Sequence, residues 1–212
     1  MSVTAELPLD AVPDVGAFLA RLVRMDPAGL VRFRPTGSGV AELWAPLPFG
    51  VLATRRVRSG LAEDTTVRAK ELLESLDSAE PRLPQRHDLA WRSSLPPGPG
   101  QILEVVPSWE FRRIARAAGD TMRAAAGSGL GERRIRDELL DHVALIVTSE
   151  HHRDEVTVRL VQGVVQMGFL GAGDSTPVRI RRSGAWLGAE ARFGCVWHRT
   201  ASGLGRVPQR PG

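Results

Sequence analysis

The strongest constraint on the fold is a run of helix- and strand-breaking residues, SSLPPGPG, at positions 93–100. Successive prolines and glycines cannot continue a helix or a sheet ladder, so the run predicts a linker between two structured parts. The 212-residue chain is long enough for one large domain or two small ones. We therefore predict a small α+β module over 1–95, a Pro/Gly linker and strand over 96–107, a helical module with a C-terminal β-hairpin over 108–199, and a flexible tail over 200–212.

The spacing of apolar residues predicts the elements of the N-terminal module. Apolar residues recur at helical spacing over 14–25 and again over 65–76. Between these helices, three strand-like runs at 30–34, 40–45 and 49–55 are separated by turn residues. We expect a helix, a three-stranded antiparallel meander and a second helix, because three strands with one covered face can be stable on their own.

The C-terminal module is predicted to contain three helices followed by a β-hairpin. The first helix begins at Ser108 and the second covers 132–147. The third covers 156–168, although its first six residues also fit a strand. Alternation of apolar and polar residues over 178–197, with a turn at Ser183-Gly184, predicts the hairpin. The predicted fold class is α+β, and the C-terminal order of elements is at best similar to a winged helix.

Composition excludes several classes of protein. No window reaches the roughly 18 uninterrupted apolar residues that a membrane helix needs, so we expect no membrane partner. Cys195 is the only cysteine, which excludes an internal disulfide framework. The N-terminal residues are acidic and lack the apolar stretch of a signal peptide, so we expect a cytoplasmic protein.

Basic residues are concentrated near the C-terminus and indicate a polyanion as one candidate partner. Residues 156–212 contain eight arginines against Asp174 and Glu190, which is a net charge of +6. Double-stranded DNA could be bound through phosphate contacts from arginines on a protruding, solvated hairpin. The candidate contacts are Arg179, Arg181, Arg182, Arg192 and Arg199.

Two observations weigh against a DNA-binding winged helix. The helix predicted at 132–147 is long for a helix-turn-helix, and the following segment offers few polar residues for reading bases. Because 27 of the 28 cations are arginine, arginine also carries less functional weight here than usual. The alternative is a protein–protein adaptor or a homodimer without nucleic-acid binding. Trp186, beside the tip of the predicted hairpin, is the candidate partner contact.

Catalytic and metal sites find little support in the sequence. His142, His151 and His152 lie near carboxylates, but adjacent histidines on one connector rarely reach a single ion. Cys195 and His198 would face opposite sides of a strand, so they do not form a nucleophile and base pair. The glycine-rich run at 127–131 follows a helix rather than a strand, unlike a phosphate-binding loop. We expect a non-enzymatic protein without a cofactor or metal ion.

Three segments resemble an uncharacterised protein family of GC-rich Gram-positive (actinobacterial) bacteria. They are LWAPLPFGVLATR at 43–55, VVQMGFLG at 164–171 and AWLGAEARFGCVW at 185–197. The resemblance covers most of both halves, and its motifs carry no catalytic meaning. The leading expectation is therefore a cytoplasmic binding protein, either a nucleic-acid-associated transcription regulator or a protein-interaction module.

Overall fold

The structure is a computed structural model that describes residues 11–37, 39–78, 81–125, 132–148, 153–173 and 176–200. Within these ranges, no helix is both long and apolar enough to cross a membrane. The predicted tail beyond Thr200 and the glycine-rich run at 127–131 lie outside the described residues.

An eight-stranded antiparallel sheet forms the centre of the fold, in the order β4-β1-β2-β3-β10-β9-β8-β5. A separate two-stranded ribbon consists of β6 and β7. The strands of the large sheet are β1 (Leu30–Gly37), β2 (Val40–Leu47), β3 (Val51–Arg58), β4 (Thr65–Arg68), β5 (Gln101–Pro107), β8 (Pro177–Ser183), β9 (Trp186–Ala191) and β10 (Gly194–Arg199). The ribbon strands are β6 (Val143–Thr148) and β7 (Arg153–Thr157).

Helices cover one face of this sheet. They are α1 (Val12–Met25), α2 (Ala69–Leu76), α3 (Ser108–Ala125), α4 (Glu132–Asp141) and α5 (Val158–Gln166). Their apolar residues meet every second residue of the strands in a continuous core, since successive strand side chains point to opposite faces. We call this side the helix face and the opposite side the outer face. Val158, Leu160, Val161 and Val164 of α5 are all buried, so α5 packs centrally.

The predicted arrangement of two modules with separate folds is wrong. The helix at 14–25 occurs as α1, but the three strands that follow it are not an isolated meander. Together with β4, which replaces the start of the helix predicted at 65–76, they form half of a larger sheet. Strand β3 pairs with β10, with Leu52 opposite Trp197 and Thr54 opposite Cys195. This pairing satisfies an edge of each half that would otherwise expose its backbone hydrogen-bonding groups. The numerical domain boundaries stay a prediction.

The winged-helix-like order is wrong because a β-ribbon interrupts the predicted helices. The helix predicted at 132–147 ends at Asp141, and 143–148 form β6. The helix predicted at 156–168 occurs as α5, but its first two residues complete β7. Val143 and Ile146 fit a helical stripe and also favour a strand, and the pairing of β6 with β7 decides between the two.

The predicted C-terminal hairpin is a three-stranded meander. The turn predicted at Ser183-Gly184 lies one residue later, at Gly184–Ala185, and a second turn at Arg192–Phe193 separates β9 from β10. Alternation over 191–197 predicted that their apolar side chains share one face, but the turn at Arg192–Phe193 interrupts this alternation. Ala191 joins the core on the helix face, whereas Cys195 and Trp197 pack on the outer face.

Candidate functional site

A cluster of tryptophans covers the middle of the outer face. Successive side chains of a strand point to opposite faces. The residues of β2, β3 and β10 that alternate with core residues therefore point outward. Four side chains of the cluster are buried and three more pack against them, so this face carries a second, smaller apolar core. The buried members are Trp44, Leu52, Cys195 and Trp197, and the partly buried ones are Trp91, Leu95 and Trp186.

A groove of about 770 Å³ runs across the outer face beside this cluster. Its floor follows cross-strand neighbours, since Trp44 lies opposite Thr54, Thr54 opposite Cys195 and Cys195 opposite Glu190. Six adjacent strands of the sheet contribute residues to its lining, in the order β1, β2, β3, β10, β9 and β8. At the usual spacing between strands, this corresponds to a length of about 24 Å, which about seven residues of extended chain would span.

The Pro/Gly run forms one wall of the groove. Pro96, Pro97, Gly98 and Pro99 line it, and Pro96 is buried. Arg181 Nη1 donates hydrogen bonds to the carbonyl oxygens of Pro99 (3.0 Å) and Gly100 (3.1 Å). The run that predicted a linker is therefore attached to the surface of the sheet.

Gly100 permits the close approach of this wall to β8. Its φ is +74°, and a Cβ at this position would lie 2.6 Å from the carbonyl oxygen of Arg182. Because the obstructing atom belongs to the backbone, a side chain here could be accommodated only if the wall moved.

Ion pairs fix several charged side chains of the lining. Arg181 Nε donates to Glu190 at 2.8 Å, and Arg55 pairs with Asp14 of α1. Glu42 accepts a hydrogen bond of 3.1 Å from the indole nitrogen of Trp44. These contacts orient the polar side chains around an apolar floor, which is the usual composition of a binding groove.

Two guanidinium groups contact the ring of Phe193 at one end of the groove. The ring centroid is 5.7 Å from Arg55 and 5.2 Å from Arg192, within the range of cation–π contacts. The backbone N–H of Phe193 donates to the carbonyl of Phe169 at 3.1 Å, which holds the β9–β10 turn. Phe193 remains 38% exposed, so its ring is available to a ligand.

The floor contains a buried hydroxyl and a buried thiol. Thr54 is 8% exposed, and its Oγ1 has no hydrogen-bond partner among the described residues. Cys195 is 9% exposed, and burial, together with the nearby Glu190 carboxylate, raises the pKa of its thiol well above the usual value. A neutral thiol is a poor nucleophile, so this cysteine contributes an apolar surface.

We expect iodoacetamide at pH 8 to alkylate Cys195 of the folded protein at least about tenfold more slowly than Cys195 of the urea-unfolded chain. Burial both limits access and keeps the thiol protonated, and unfolding removes both effects. Mass spectrometry of timed samples measures the two rates. Equal rates in the folded and unfolded chains would show that the thiol is accessible and ionised in the native state.

The structure does not bring the five candidate DNA-contact arginines together. Arg179, Arg181 and Arg199 point to the outer face, and Arg181 is paired with Glu190. Arg182 points to the helix face, where it pairs with the buried Asp154. Arg192 lies in the β9–β10 turn, at the opposite end of β10 from Arg199. A role of these residues in DNA binding stays a prediction.

The other candidate residues are dispersed. Trp186 is half-buried in the tryptophan cluster, where it packs with other side chains of the outer face. His142 is exposed after α4, whereas His151 and His152 lie outside the described residues. Among the described residues, no group of three or more His, Cys, Asp or Glu side chains could hold a metal ion.

Cys195 and His198 do not form a catalytic pair. Cys195 packs on the outer face, whereas His198 is near Arg159 and Asp141 on the helix face. Burial, with a further contribution from the positive charge of Arg159, lowers the pKa of His198.

The groove residues Thr54, Phe193 and Glu190 were not predicted from the sequence. The one signal that could have indicated the site is the Pro/Gly run itself, because four of its residues form the wall. Its composition indicates a break in regular structure, but it does not reveal which surface the break lies against.

The fold is that of bacterial sliding clamps, as comparison with solved structures shows. The chain is similar to a putative DNA polymerase III β subunit of Eubacterium rectale, with a TM-score of 0.58 and 10% identity over 94% of this chain and 65% of that chain. The sliding clamp of Pseudomonas aeruginosa gives a TM-score of 0.56, with 13% identity over 93% of this chain and 64% of that chain. The DNA polymerase III β subunit of Thermotoga maritima gives a TM-score of 0.56, with 8% identity over 93% of this chain and 64% of that chain. The chain thus spans slightly less than two thirds of the length of these proteins.

Sequence families divide the chain at the Pro/Gly run. Residues 95–203 match the family described as Domain of unknown function (DUF8185), and residues 7–93 match Domain of unknown function (DUF8010). Because the first match covers more than half of the chain, the protein belongs to the DUF8185 family. A search of the curated proteins found no match. The resemblance to an actinobacterial family stays a prediction.

Proposed function

We propose that this protein is a non-catalytic protein-interaction module that binds an extended segment of a partner protein in the outer-face groove. The observation that carries the proposal is the groove itself, which joins an apolar floor, an exposed aromatic ring and a proline wall. Its volume lies within the range of typical ligand sites, and its length suits about seven extended residues.

The composition of the walls supports a peptide as the ligand. Proline and aromatic side chains provide rigid surfaces, so few rotamers would be lost when a segment binds. Phe193 is exposed at the end of the groove, as aromatic residues of protein interfaces often are.

A second candidate function is association with DNA, which the fold favours, since the similar solved structures are subunits of a DNA polymerase. We place it second because Arg181 and Arg182, two of the candidate phosphate contacts, are engaged in ion pairs within the chain. Regulation of transcription through a winged helix is not proposed, because the fold is different.

The test is a selection of displayed random 12-residue peptides on the immobilised full chain, followed by fluorescence anisotropy with labelled copies of the enriched peptides. We expect Phe193→Ala to weaken their binding about fivefold or more, because it removes an exposed aromatic side chain from the groove. Circular dichroism verifies that the variant is folded.

Leu89→Ala is the matched control, because Leu89 is 89% exposed and does not line the groove. It should leave the affinity unchanged. If no peptide is enriched, or if Phe193→Ala and Leu89→Ala bind the enriched peptides equally well, the groove is not a peptide site.

A further inference from the structure

Positively charged side chains outnumber carboxylates in the lining of the groove. Five arginines and three carboxylates line it, a net charge of +2. Two of these arginines are neutralised within the chain, Arg181 by Glu190 and Arg55 by Asp14. The remaining ones are Arg34, Arg56 and Arg192, with Glu42 as the remaining carboxylate.

The three remaining guanidinium groups are exposed to solvent. Arg34, Arg56 and Arg192 are exposed, and none of them has a carboxylate within ion-pair distance in the described part of the chain. Glu42 lies directly between Arg34 and Arg56 in the register of the sheet, but its carboxylate accepts a hydrogen bond from Trp44. This side of the groove therefore has an excess of positive charge.

The positive charge is confined to one long side of the groove, where Arg34 on β1, Arg56 on β3 and Arg192 in the β9–β10 turn lie. Arg56 follows Arg55, and the side chains of Arg55 and Arg192 both lie against the ring of Phe193. On the opposite side, near the proline wall, Arg181 and Glu190 neutralise each other. Between the two sides, Thr54 and Cys195 provide a floor without charge.

We propose that the partner segment is acidic, with carboxylates placed over Arg34, Arg56 and Arg192 and an apolar side chain over the floor at Thr54 and Cys195. The proposal rests on the proposed function of the groove and names the chemistry of its ligand. Arginine suits this role because its planar guanidinium can bind a carboxylate through two nitrogens.

A nucleic acid fits these charges less well than an acidic peptide. Phosphate backbones are bound by successive cations that follow the strand, whereas Glu42 and Glu190 interrupt the cations of this groove. The floor at Thr54 and Cys195 has no cation for a phosphate, whereas its apolar surface accommodates a leucine or aromatic side chain.

The experiment compares two versions of each enriched 12-residue peptide, the selected sequence and one with every Asp and Glu replaced by Asn and Gln. Labelled peptides are titrated with the full chain, and anisotropy gives the affinities. We expect the selected peptides to contain two or more carboxylates and to bind at least about tenfold more tightly than their amide versions. Their affinity should also fall as the salt concentration rises from about 50 to 500 mM.

A triple variant assigns this preference to the groove. Arg34→Glu, Arg56→Glu and Arg192→Glu together should reduce the affinity for acidic peptides about tenfold or more and spare the amide versions. The control is Arg24→Glu, Arg116→Glu and Arg153→Glu, which makes the same change in charge at exposed arginines outside the groove. It should retain the preference. If the groove variant does not fold, the salt dependence and the amide peptides still decide the question.

Two outcomes overturn the proposal. Enriched peptides that are neutral or basic, but still lose affinity in Phe193→Ala, would leave the peptide groove intact and refute the acidic ligand. A labelled random DNA duplex that binds the full chain and loses affinity in the groove variant, but not in the control, would assign the free arginines to phosphate. A selection without enriched peptides would instead refute the proposed function itself.

Discussion

Replacing Arg182 by alanine should lower the free energy of unfolding by about 3–5 kcal/mol, because it leaves a buried carboxylate without its partner. Asp154 is 2% exposed, and Arg182 Nε donates to it at 3.1 Å, with a second contact from Nη2. The pair connects β8 of the large sheet to β7 of the ribbon. Urea denaturation followed by circular dichroism measures the effect.

Arg179→Ala is the control for this prediction. Arg179 lies on the same strand, three residues before Arg182, but it is exposed on the outer face. We expect its replacement to change stability by less than about 0.5 kcal/mol. Arg182→Lys should recover only part of the stability, since an ammonium group cannot reproduce the two-nitrogen contact. Equal effects of Arg182→Ala and Arg179→Ala would contradict a structural role for the buried pair.

Phe169→Ala should destabilise the protein by a similar amount, about 3–5 kcal/mol, because it opens a cavity where the two halves of the chain meet. Phe169 is 1% exposed, and its ring stacks on Phe18 of α1 with 6.3 Å between the centroids. It also fills the space beside Gly194, where a Cβ would lie 2.6 Å from its ring. Denaturant unfolding of the variant, followed by tryptophan fluorescence, measures the loss.

The loss should be smaller for Phe169→Leu, which fills part of the cavity, than for Phe169→Ala. Leu89→Ala removes an apolar side chain that is 89% exposed, so it should leave stability nearly unchanged. If Phe169→Ala and Leu89→Ala had the same stability, the packing of Phe169 against α1 would not contribute to holding the halves together. Because the carbonyl of Phe169 holds the turn at Phe193, this packing also supports one end of the groove.

The groove and the buried pair clarify how arginine is used in this chain. Arg182 and Arg181 lie next to each other in the sequence but point to opposite faces of β8. One binds a buried carboxylate, and the other holds the proline wall. Arg34, Arg56 and Arg192 form no ion pair within the described part of the chain. The sequence pattern does not distinguish these five arginines, because the role of each depends on partners that are distant in the chain.

Local patterns predicted some elements well and failed on others for identifiable reasons. The helix at 14–25 was predicted because its apolar stripe is followed by Pro27, and it occurs as α1. The segment 143–147 was assigned to a helix because its apolar residues fit both periodicities. Its conformation is decided by β7, whose Asp154 lies opposite Val147. An isolated segment carries no information about such a partner.

The sequence by itself determined the local elements whose signals are local: the periodicity of α1, the turn near Gly184 and the break at 93–100. Only the tertiary structure decided that β3 pairs with β10, that the break packs on the outer face, and that Thr54, Cys195 and Glu190 share one groove. The physical reason is the range of the interactions. Helical periodicity and turn preferences act over a few residues, whereas strand pairing and burial depend on residues that only the folded chain brings together.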